Sequence, residues 1–251
     1  MSSAENGGSA QQRREALKQV FAQAQTCVRC QELAQTRKNV VFGAGNADAD
    51  LMFVGEAPGA SEDERGLPFV GRAGKLLETL LKEIGLARED VFIANTLKCR
   101  PPGNRDPLQV EIDNCRDYLY SQVELIQPRV ICSLGNFSTK LLRDDPTGIT
   151  RLHGKPEELT LGKRTVRLYP IFHPAAALYT PRMLDTLRED FSRLPELLAQ
   201  PEPDQPQWEP GDLELAREAR ATGSELDTRS SIEEAPGART EAPTVDQLGL
   251  F

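Results

Sequence analysis

The chain has 251 residues, 39% of them apolar, which suits one domain of ordinary size with appendages or two small domains. No apolar run approaches the roughly 20 residues of a membrane-spanning helix, and no secretory signal is recognisable, so we expect a cytoplasmic protein without a membrane anchor. The formal net charge is −8, but residues 201–251 carry 12 acidic and 4 basic residues and account for all of it. The body of the chain is therefore neutral, and a nucleic-acid partner is not excluded.

The N-terminal region combines a polar start with a helical segment that contains two cysteines. We expect residues 1–14 to be flexible, whereas residues 12–38 follow a helical pattern. The sequence TCVRC, with Cys27 and Cys30, lies inside this pattern. The CxxC motif is therefore predicted to lie in helical surroundings.

Four apolar runs predict strands, and each stops at residues that break regular structure. They are LMFVG at 51–55, VFIANT at 91–96, RVICSLG at 129–135 and LYPIF at 168–172. Helical patterns occupy 74–86, 108–126, 136–142 and 180–198, and residues 150–167 alternate as a hairpin does. This alternation predicts an α/β fold for residues 15–200, a single three-layer domain with a four-stranded, mainly parallel central sheet and helices on both faces.

The carboxyl ends of the predicted strands form the part of such a sheet that binds ligands. They carry the sequence GEAPG, which begins at Gly55, and then Asn95, Gly135 and His173. A loop with the sequence GLPFVGRAG also holds an aromatic residue, Phe69, among glycines that favour turns and close approach. We therefore expect a ligand site at this edge of the sheet.

The C-terminal segment differs in composition from the rest of the chain. Residues 201–251 hold 6 of the 18 prolines, are strongly acidic and show little apolar periodicity. This composition predicts a disordered tail.

The five cysteines divide into a group of four and a single residue. Cys132 lies in an apolar strand and reads as a small buried hydrophobic residue. Cys27, Cys30, Cys99 and Cys115 form a CxxC pair and a more widely spaced pair, a pattern that fits a zinc site or an iron–sulfur cluster equally well. A disulfide framework or a thioredoxin-like motif fits less well, and four unrelated cysteines remain an alternative.

Three motifs occur in the same order as in a known family. The sequences GEAPGASEDERGLPFVGRAG, NTLKCRPPGNRDP and FHPAA, with the four placed cysteines and ITRLHGKP at 149–156, resemble the family 4 uracil-DNA glycosylases, the iron–sulfur branch of that superfamily. The similarity covers about residues 15–198. It implies a [4Fe–4S] cluster held by Cys27, Cys30, Cys99 and Cys115, and a glycosylase that flips uracil from DNA and leaves an abasic site for base excision repair.

The resemblance also implies a set of site residues. Uracil would be bound by Gly55, Glu56, Ala57, Phe69, Asn95 and His173. Phe69 offers a stacking surface for the flipped base, and the amide of Asn95 complements O4 and N3–H of uracil. His173 would donate to uracil O2 as negative charge develops there. Glu56, with Glu62 and Asp63 as weaker alternatives, would orient water or stabilise the cationic sugar, because Ala57 stands where better-known uracil glycosylases have an aspartate.

Residues after the FHPAA motif are candidates for the wedge that fills the space left by the flipped nucleotide. The chain offers Leu178 and Tyr179 for this role. His153 reads as a surface histidine. No lysine invites Schiff-base chemistry, and the 95–107 segment lacks the histidine-bearing insertion of a related group that becomes covalently trapped. We therefore predict a monofunctional enzyme that turns over.

The chain ends in DQLGLF, which exposes apolar residues at the end of an acidic tail. The residues Gln247, Leu248, Leu250 and Phe251 resemble the peptide that binds the bacterial sliding clamp. The expected partners are thus uracil-containing DNA, single- or double-stranded, and a sliding clamp, for a monomer located with the nucleoid. The competing classes are a binding protein for damaged DNA without catalysis and, less favoured, a cluster-based electron carrier.

Overall fold

The structure is a computed structural model that describes residues 9–207. The helices are Ala10–Gln25 (α1), Gln31–Thr36 (α2), Ala60–Arg65 (α3), Arg72–Glu83 (α4), Gln109–Ile126 (α5), Asn136–Arg143 (α6), Ile149–Leu152 (α7), Pro174–Tyr179 (α8), Arg182–Ser192 (α9) and Leu194–Ala199 (α10). The strands are Ala44–Gly45 (β1), Leu51–Gly55 (β2), Phe92–Asn95 (β3), Val130–Leu134 (β4), Glu157–Leu161 (β5) and Arg164–Ile171 (β6). Across residues 9–207, no helix combines the length and apolar character needed to cross a membrane.

The sheet has the strand order β1-β3-β2-β4-β6-β5. Strands β3, β2, β4 and β6 are parallel to one another, and the two outer strands are antiparallel to their neighbours. The predicted parallel core of four strands is therefore present, but the predicted number was wrong because the sheet has six. Strand β1 has only two residues and leaves no periodic signal, and β5 belongs to the stretch that was read only as a hairpin.

Successive side chains of the central strands enter two different cores. Leu51 and Phe53 pack on one face with α4 and α9, whereas Met52 and Val54 pack on the other with α1 and α5. This period of two is what a parallel sheet covered on both faces requires. The predicted three-layer α/β arrangement agrees with these two cores.

The N-terminal helix begins earlier and ends earlier than expected. A capping box between Ser9 and Gln12 starts α1, so Ala10 to residue 14 are helical although they fall in the range expected to be flexible. The helical pattern at 12–38 is interrupted, because α1 ends at Gln25 and α2 begins at Gln31. Cys27 and Cys30 thus lie in a connection between two helices and not within one.

The C-terminal part of the domain consists of two helices followed by an extended segment. The predicted helix at 180–198 is divided into α9 and α10 at Arg193, two residues before Pro195. The segment that follows lies along β6, where Arg164 contacts Glu202 at 2.6 Å and the Gln205 amide bonds to Thr165. The remainder of the predicted disordered tail, including the clamp-like peptide, lies outside the described residues.

Candidate functional site

The strand order changes direction at β2, because the next strand in the chain, β3, lies on one side of β2 and β4 lies on the other. Open α/β sheets bind ligands in the crevice at such a change of direction, which here lies between the ends of β2 and β4. Gly55 ends β2 there, and its lack of a side chain is required. A Cβ atom at Gly55 would lie 2.4 Å from Asn95 Oδ1 and 2.9 Å from the Phe69 ring.

The loop that carries Phe69 has an unusual backbone conformation that is held from both sides. Phe69 has φ +50°, which bulky side chains rarely adopt. The Glu62 carboxylate accepts the N–H groups of Val70 and Gly71 at 3.0 and 2.9 Å. Arg88 donates to the carbonyl oxygens of Pro68 and Phe69. Glu62 therefore organises this loop, and its neighbour Asp63 accepts backbone N–H groups of residues 38 and 39.

Asn95 lies at the end of β3 with its side chain almost fully buried, at 2% exposure. Within residues 9–207, no hydrogen bond to its carboxamide is present, although its backbone carbonyl accepts from the buried Lys98 ammonium at 2.8 Å. The amide atoms are not among the fully buried polar atoms that lack a partner in the described residues, so they keep a small contact with solvent. Asn95 lies beside Gly55, at the end of the neighbouring strand.

His173 follows β6 and begins helix α8. Its Nδ1 atom accepts the N–H of Ala175 at 3.1 Å, so the ring proton resides on Nε2. Burial lowers the pKa of His173 to about 4, although the negative charge of Glu62 opposes this shift. At neutral pH the imidazole is therefore uncharged and offers one N–H donor. The backbone of Gly135, at the end of β4, lies close to His173, since a Cβ atom at Gly135 would lie 3.0 Å from His173 Cβ.

The rings of Phe69 and His173 are neighbours. Their centroids lie 5.5 Å apart with an interplanar angle of 28°. This is an offset stack, and it leaves no room for a base between the two rings. The two rings form one continuous wall, and a ligand cannot lie between them.

A cavity of about 250 Å³ opens beside this wall. This volume lies just below the roughly 300–1,000 Å³ of pockets for drug-sized ligands, so the cavity suits a smaller ligand. Its lining residues are Glu56, Ala57, Pro58, Gly59, Pro101, Asn104, Arg105 and His173. Phe69 and Asn95 do not line this cavity but are buried behind Gly55.

Glu56 provides the carboxylate of the cavity. Burial raises the pKa of Glu56, and the nearby charge of Asp106 raises it further. In the described part of the chain the carboxylate has no hydrogen-bond partner, while the Glu56 carbonyl accepts the N–H of Leu97 at 3.0 Å. The backbone of Glu56 is thus fixed to the segment after β3, and its carboxylate remains available to water or substrate.

One wall of the cavity belongs to the loop between Cys99 and Cys115, which sequence reasoning did not assign to the site. Arg105 in this loop makes a paired contact with Glu111 of α5, at 2.6 and 3.0 Å, and a contact of 2.6 Å with Glu32 of α2. The same two helices flank the cysteines. The Arg105 guanidinium therefore connects the cavity wall to the two helices of the cysteine region.

The structure brings four of the five cysteines into one region. Cys99 and Cys115 are buried, Cys27 and Cys30 are partly buried beside them, and none of the five forms a disulfide. Arg37 donates to Cys99 Sγ at 3.2 Å, and Asn114 donates to Cys30 Sγ at 3.5 Å. Cys132 lies apart, in the core on the other face of the sheet.

The thiols of this region are protonated unless a positively charged group binds them. Burial is the main cause that raises the pKa of Cys99 to about 11 and that of Cys115 to about 12, and the neighbouring cysteines contribute to both rises. Over residues 9–207, no three His, Cys, Asp or Glu side chains are placed to hold a single metal ion. The charges of Cys27, Cys30, Cys99 and Cys115 influence one another, so these four side chains are neighbours. Four neighbouring cysteines are the donor set that a [4Fe–4S] cluster takes.

The two wedge candidates differ in exposure. Both lie at the end of α8, the short helix that starts at His173. Leu178 is partly buried, whereas Tyr179 is 80% exposed. Tyr179 therefore offers the more accessible side chain of the two.

His153 was expected at the surface, but its side chain is partly enclosed. Its Nδ1 atom lies 3.1 Å from the buried Asp190 carboxylate, and its ring packs on Phe172 with centroids 4.5 Å apart. Phe172 directly precedes His173. Local sequence patterns do not indicate this packing, because the partners are 37 and 19 positions away.

Comparison with known proteins shows the family to which the chain belongs. The family model described as "Uracil DNA glycosylase superfamily" matches residues 42–196, and the chain belongs to this superfamily. A type-4 uracil-DNA glycosylase of Archaeoglobus fulgidus is 44% identical over 193 residues, covering 75% of this chain and 96% of that protein. One from Saccharolobus solfataricus is 47% identical over 178 residues, covering 69% and 82%. One from Thermotoga maritima is 44% identical over 167 residues, covering 66% and 85%.

Proposed function

We propose that the protein removes uracil from DNA by hydrolysing the N-glycosidic bond and leaves an abasic site for base excision repair. The observation that carries this proposal is the meeting of Gly55, Phe69, Asn95 and His173 beside one base-sized cavity, in a chain of the uracil-DNA glycosylase superfamily. A base stacked inside a duplex cannot enter such a cavity, so the mechanism begins with base flipping.

Recognition of uracil rests on the Asn95 amide. An amide offers a donor and an acceptor side by side, and uracil presents the complementary pair at N3–H and O4. Cytosine presents an amino donor beside an unprotonated N3, so the same fixed amide rejects it. The tight contact at Gly55 supports this proposal, because it keeps the buried amide from rotating freely.

Bond cleavage places negative charge on uracil O2 and positive charge on the sugar. The Nε2–H of neutral His173 donates to O2, and this stabilises the charge as it develops. Glu56 supplies the only carboxylate among the residues lining the described cavity, and it orients water or stabilises the oxocarbenium ion. Ala57 leaves no second carboxylate for this task. Stabilisation of the departing uracil anion therefore accounts for much of the rate enhancement.

The enzyme is expected to be monofunctional. The nearby Lys98 is buried, and its ammonium is engaged by the Asn95 carbonyl and Gln122, so it is not available to attack the sugar. The decisive experiment incubates purified protein with a labelled oligonucleotide that contains one deoxyuridine, and analyses it with and without alkali. We expect strand cleavage only after alkali. Cleavage without alkali would contradict the monofunctional mechanism, an intact strand in both samples would contradict the glycosylase, and a slow denaturation-resistant band would indicate covalent trapping.

A [4Fe–4S] cluster held by Cys27, Cys30, Cys99 and Cys115 is the proposed cofactor, with a structural role. When bound, it supplies a positive core for four thiolates and joins the α1–α2 connection to α5 and the cavity loop. The chain's own part is to donate N–H groups to sulfur, from Arg37 and Asn114, and to exclude water by burying Cys99 and Cys115.

We expect Cys99→Ser to lose bound iron and to lower Tm by about 10 °C, the shift that roughly 3–5 kcal/mol produces in a domain of this size. Iron and acid-labile sulfide, about four of each per chain for the intact cluster, and visible absorbance measure the first effect, and calorimetry measures the second. Cys132→Ala is the matched control and should keep its iron, because Cys132 lies in the other core. Zinc in the purified protein would contradict the cluster.

A sliding clamp is the proposed second partner, through Gln247, Leu248, Leu250 and Phe251, which lie outside the described residues. Deletion of residues 247–251 should abolish clamp pull-down and leave activity on short oligonucleotides unchanged. Gly249→Ala is the control that keeps the apolar anchors, and it should bind. Pull-down retained by the deletion would refute this partner. We further propose a monomer that acts on chromosomal DNA in the cytoplasm, with Tyr179 as the wedge.

A further inference from the structure

The Phe69 loop needs a support that the base-binding residues do not supply. The positive φ of Phe69 is unfavourable for a bulky residue, so surrounding groups must hold the backbone in place. Helix α4 closes one side of the loop, since a Cβ atom at Gly74 would lie 1.8 Å from the Phe69 carbonyl oxygen. The carbonyl groups of the loop thus face a tightly packed region where a donor is required.

Arg88 supplies that donor from a separate element. Its Nη1 atom donates to the Phe69 carbonyl at 3.1 Å, and its Nη2 atom donates to the Pro68 carbonyl. The side chain is 25% exposed, and Glu78 of α4 lies 3.4 Å from Nη1. The guanidinium is therefore enclosed between α4 and the loop, with the carboxylates of Glu78 and Glu62 near it to balance its charge.

The position of Arg88 in the chain links two parts of the site. It lies in a short 3-10 turn, Arg88–Asp90, directly before β3, the strand that ends at Asn95. The contact to the Phe69 loop spans 19 residues. A planar guanidinium reaches two successive carbonyl groups at once, which a lysine ammonium on a flexible stem does not reproduce.

We propose that Arg88 is a positioning residue for uracil excision, which holds the Phe69 ring at the base site by fixing the carbonyl groups of Pro68 and Phe69. This inference rests on the proposed function. It assigns to Arg88 no contact with the substrate. Its effect passes through Phe69, whose ring contacts the region of Gly55 and His173.

The test is a double-mutant cycle between Arg88 and Phe69, measured as the single-turnover rate of uracil release and as inhibition by free uracil. We expect Arg88→Lys to lower kcat/KM about 10-fold and Arg88→Met about 10- to 100-fold, within the range that loss of one base-stacking contact gives. The inhibition constant for free uracil should rise in parallel. In the Phe69→Ala background, Arg88→Lys should change the rate less than about threefold, because the ring that it positions is gone.

Glu78→Gln is the matched control, because it removes the ion pair with Arg88 and leaves both carbonyl contacts in place. It should keep nearly full activity. The inference would be overturned if the rate losses of the two single variants simply multiplied in the double variant. A normal inhibition constant for free uracil in Arg88→Lys would also overturn it. If Arg88→Met fails to fold, Arg88→Lys with an unchanged Tm decides the question. If the unmodified enzyme released no uracil, the proposed function itself would be refuted. That outcome differs from failure of the Arg88 inference, which requires an active parent enzyme.

Discussion

Replacement of His173 by alanine is expected to slow uracil release by about 10²- to 10³-fold, the usual cost of losing one donor to a developing oxyanion. The single-turnover rate on a deoxyuridine oligonucleotide measures this loss. The same change removes the cap on α8, because Nδ1 accepts the Ala175 N–H, and this costs about 1 kcal/mol of stability. Two effects are therefore expected from one substitution, and they require separate controls.

His173→Asn separates the two effects. Asparagine is a good N-cap residue, so it should restore the Tm, but its shorter side chain does not place a donor where Nε2–H lies. We expect activity as low as that of the alanine variant with nearly normal stability. Recovery of activity in His173→Asn would mean that the histidine acts through the helix and not on the substrate.

The pH profile distinguishes a neutral imidazole from a charged one. Because burial lowers the pKa of His173 to about 4, the ring is neutral above about pH 5, and its titration should leave the rate unchanged between pH 5 and 8. A protonated donor would instead lose activity as pH rises. Glu56 has a raised pKa, so a fall in rate is expected as pH decreases through that raised value. Glu56→Gln should lack this acidic limb.

The sequence was sufficient to predict the residues that end the parallel strands. Apolar runs that stop at glycine, proline or asparagine mark where buried strands leave the sheet, and the parallel arrangement brings those ends together. Gly55, Asn95 and His173 were therefore predictable as neighbours. The helix over 12–38 was misjudged because helical segments lie on both sides of Cys27 and Cys30, and no glycine or proline marks the break between them.

Contacts between elements far apart in the chain were not predictable. Arg88 looks like an ordinary charge in the sequence RED, and its role emerges only when the fold places it under the Phe69 loop. Arg105 and His153 are similar, since their partners Glu32 and Asp190 are 73 and 37 positions away. Local patterns identify the elements and their ends, but side-chain pairing depends on the packing of those elements.

The largest effect from a change that removes no functional group is expected at Gly55. In Gly55→Ala the new Cβ would lie 2.4 Å from Asn95 Oδ1 and 2.9 Å from Phe69 Cε2, so both groups must move. Asn95 and Phe69 are buried and have little free space. A displacement near 1 Å costs about 10²-fold in rate, and two displaced groups should cost at least that. Single-turnover kinetics and free-uracil inhibition measure the effect.

Gly148→Ala provides the matched control for this change. Its backbone is extended, with φ −75°, and the nearest atom to its new Cβ is Asn136 Oδ1 at 3.7 Å, an ordinary contact. It should keep both activity and Tm. Gly55→Ala should lose activity with a Tm within a few degrees of the parent, because alanine also restricts the unfolded chain. Normal activity in Gly55→Ala would mean that Asn95 and Phe69 need not be held in this arrangement, and the base would then have to be recognised elsewhere in the cavity.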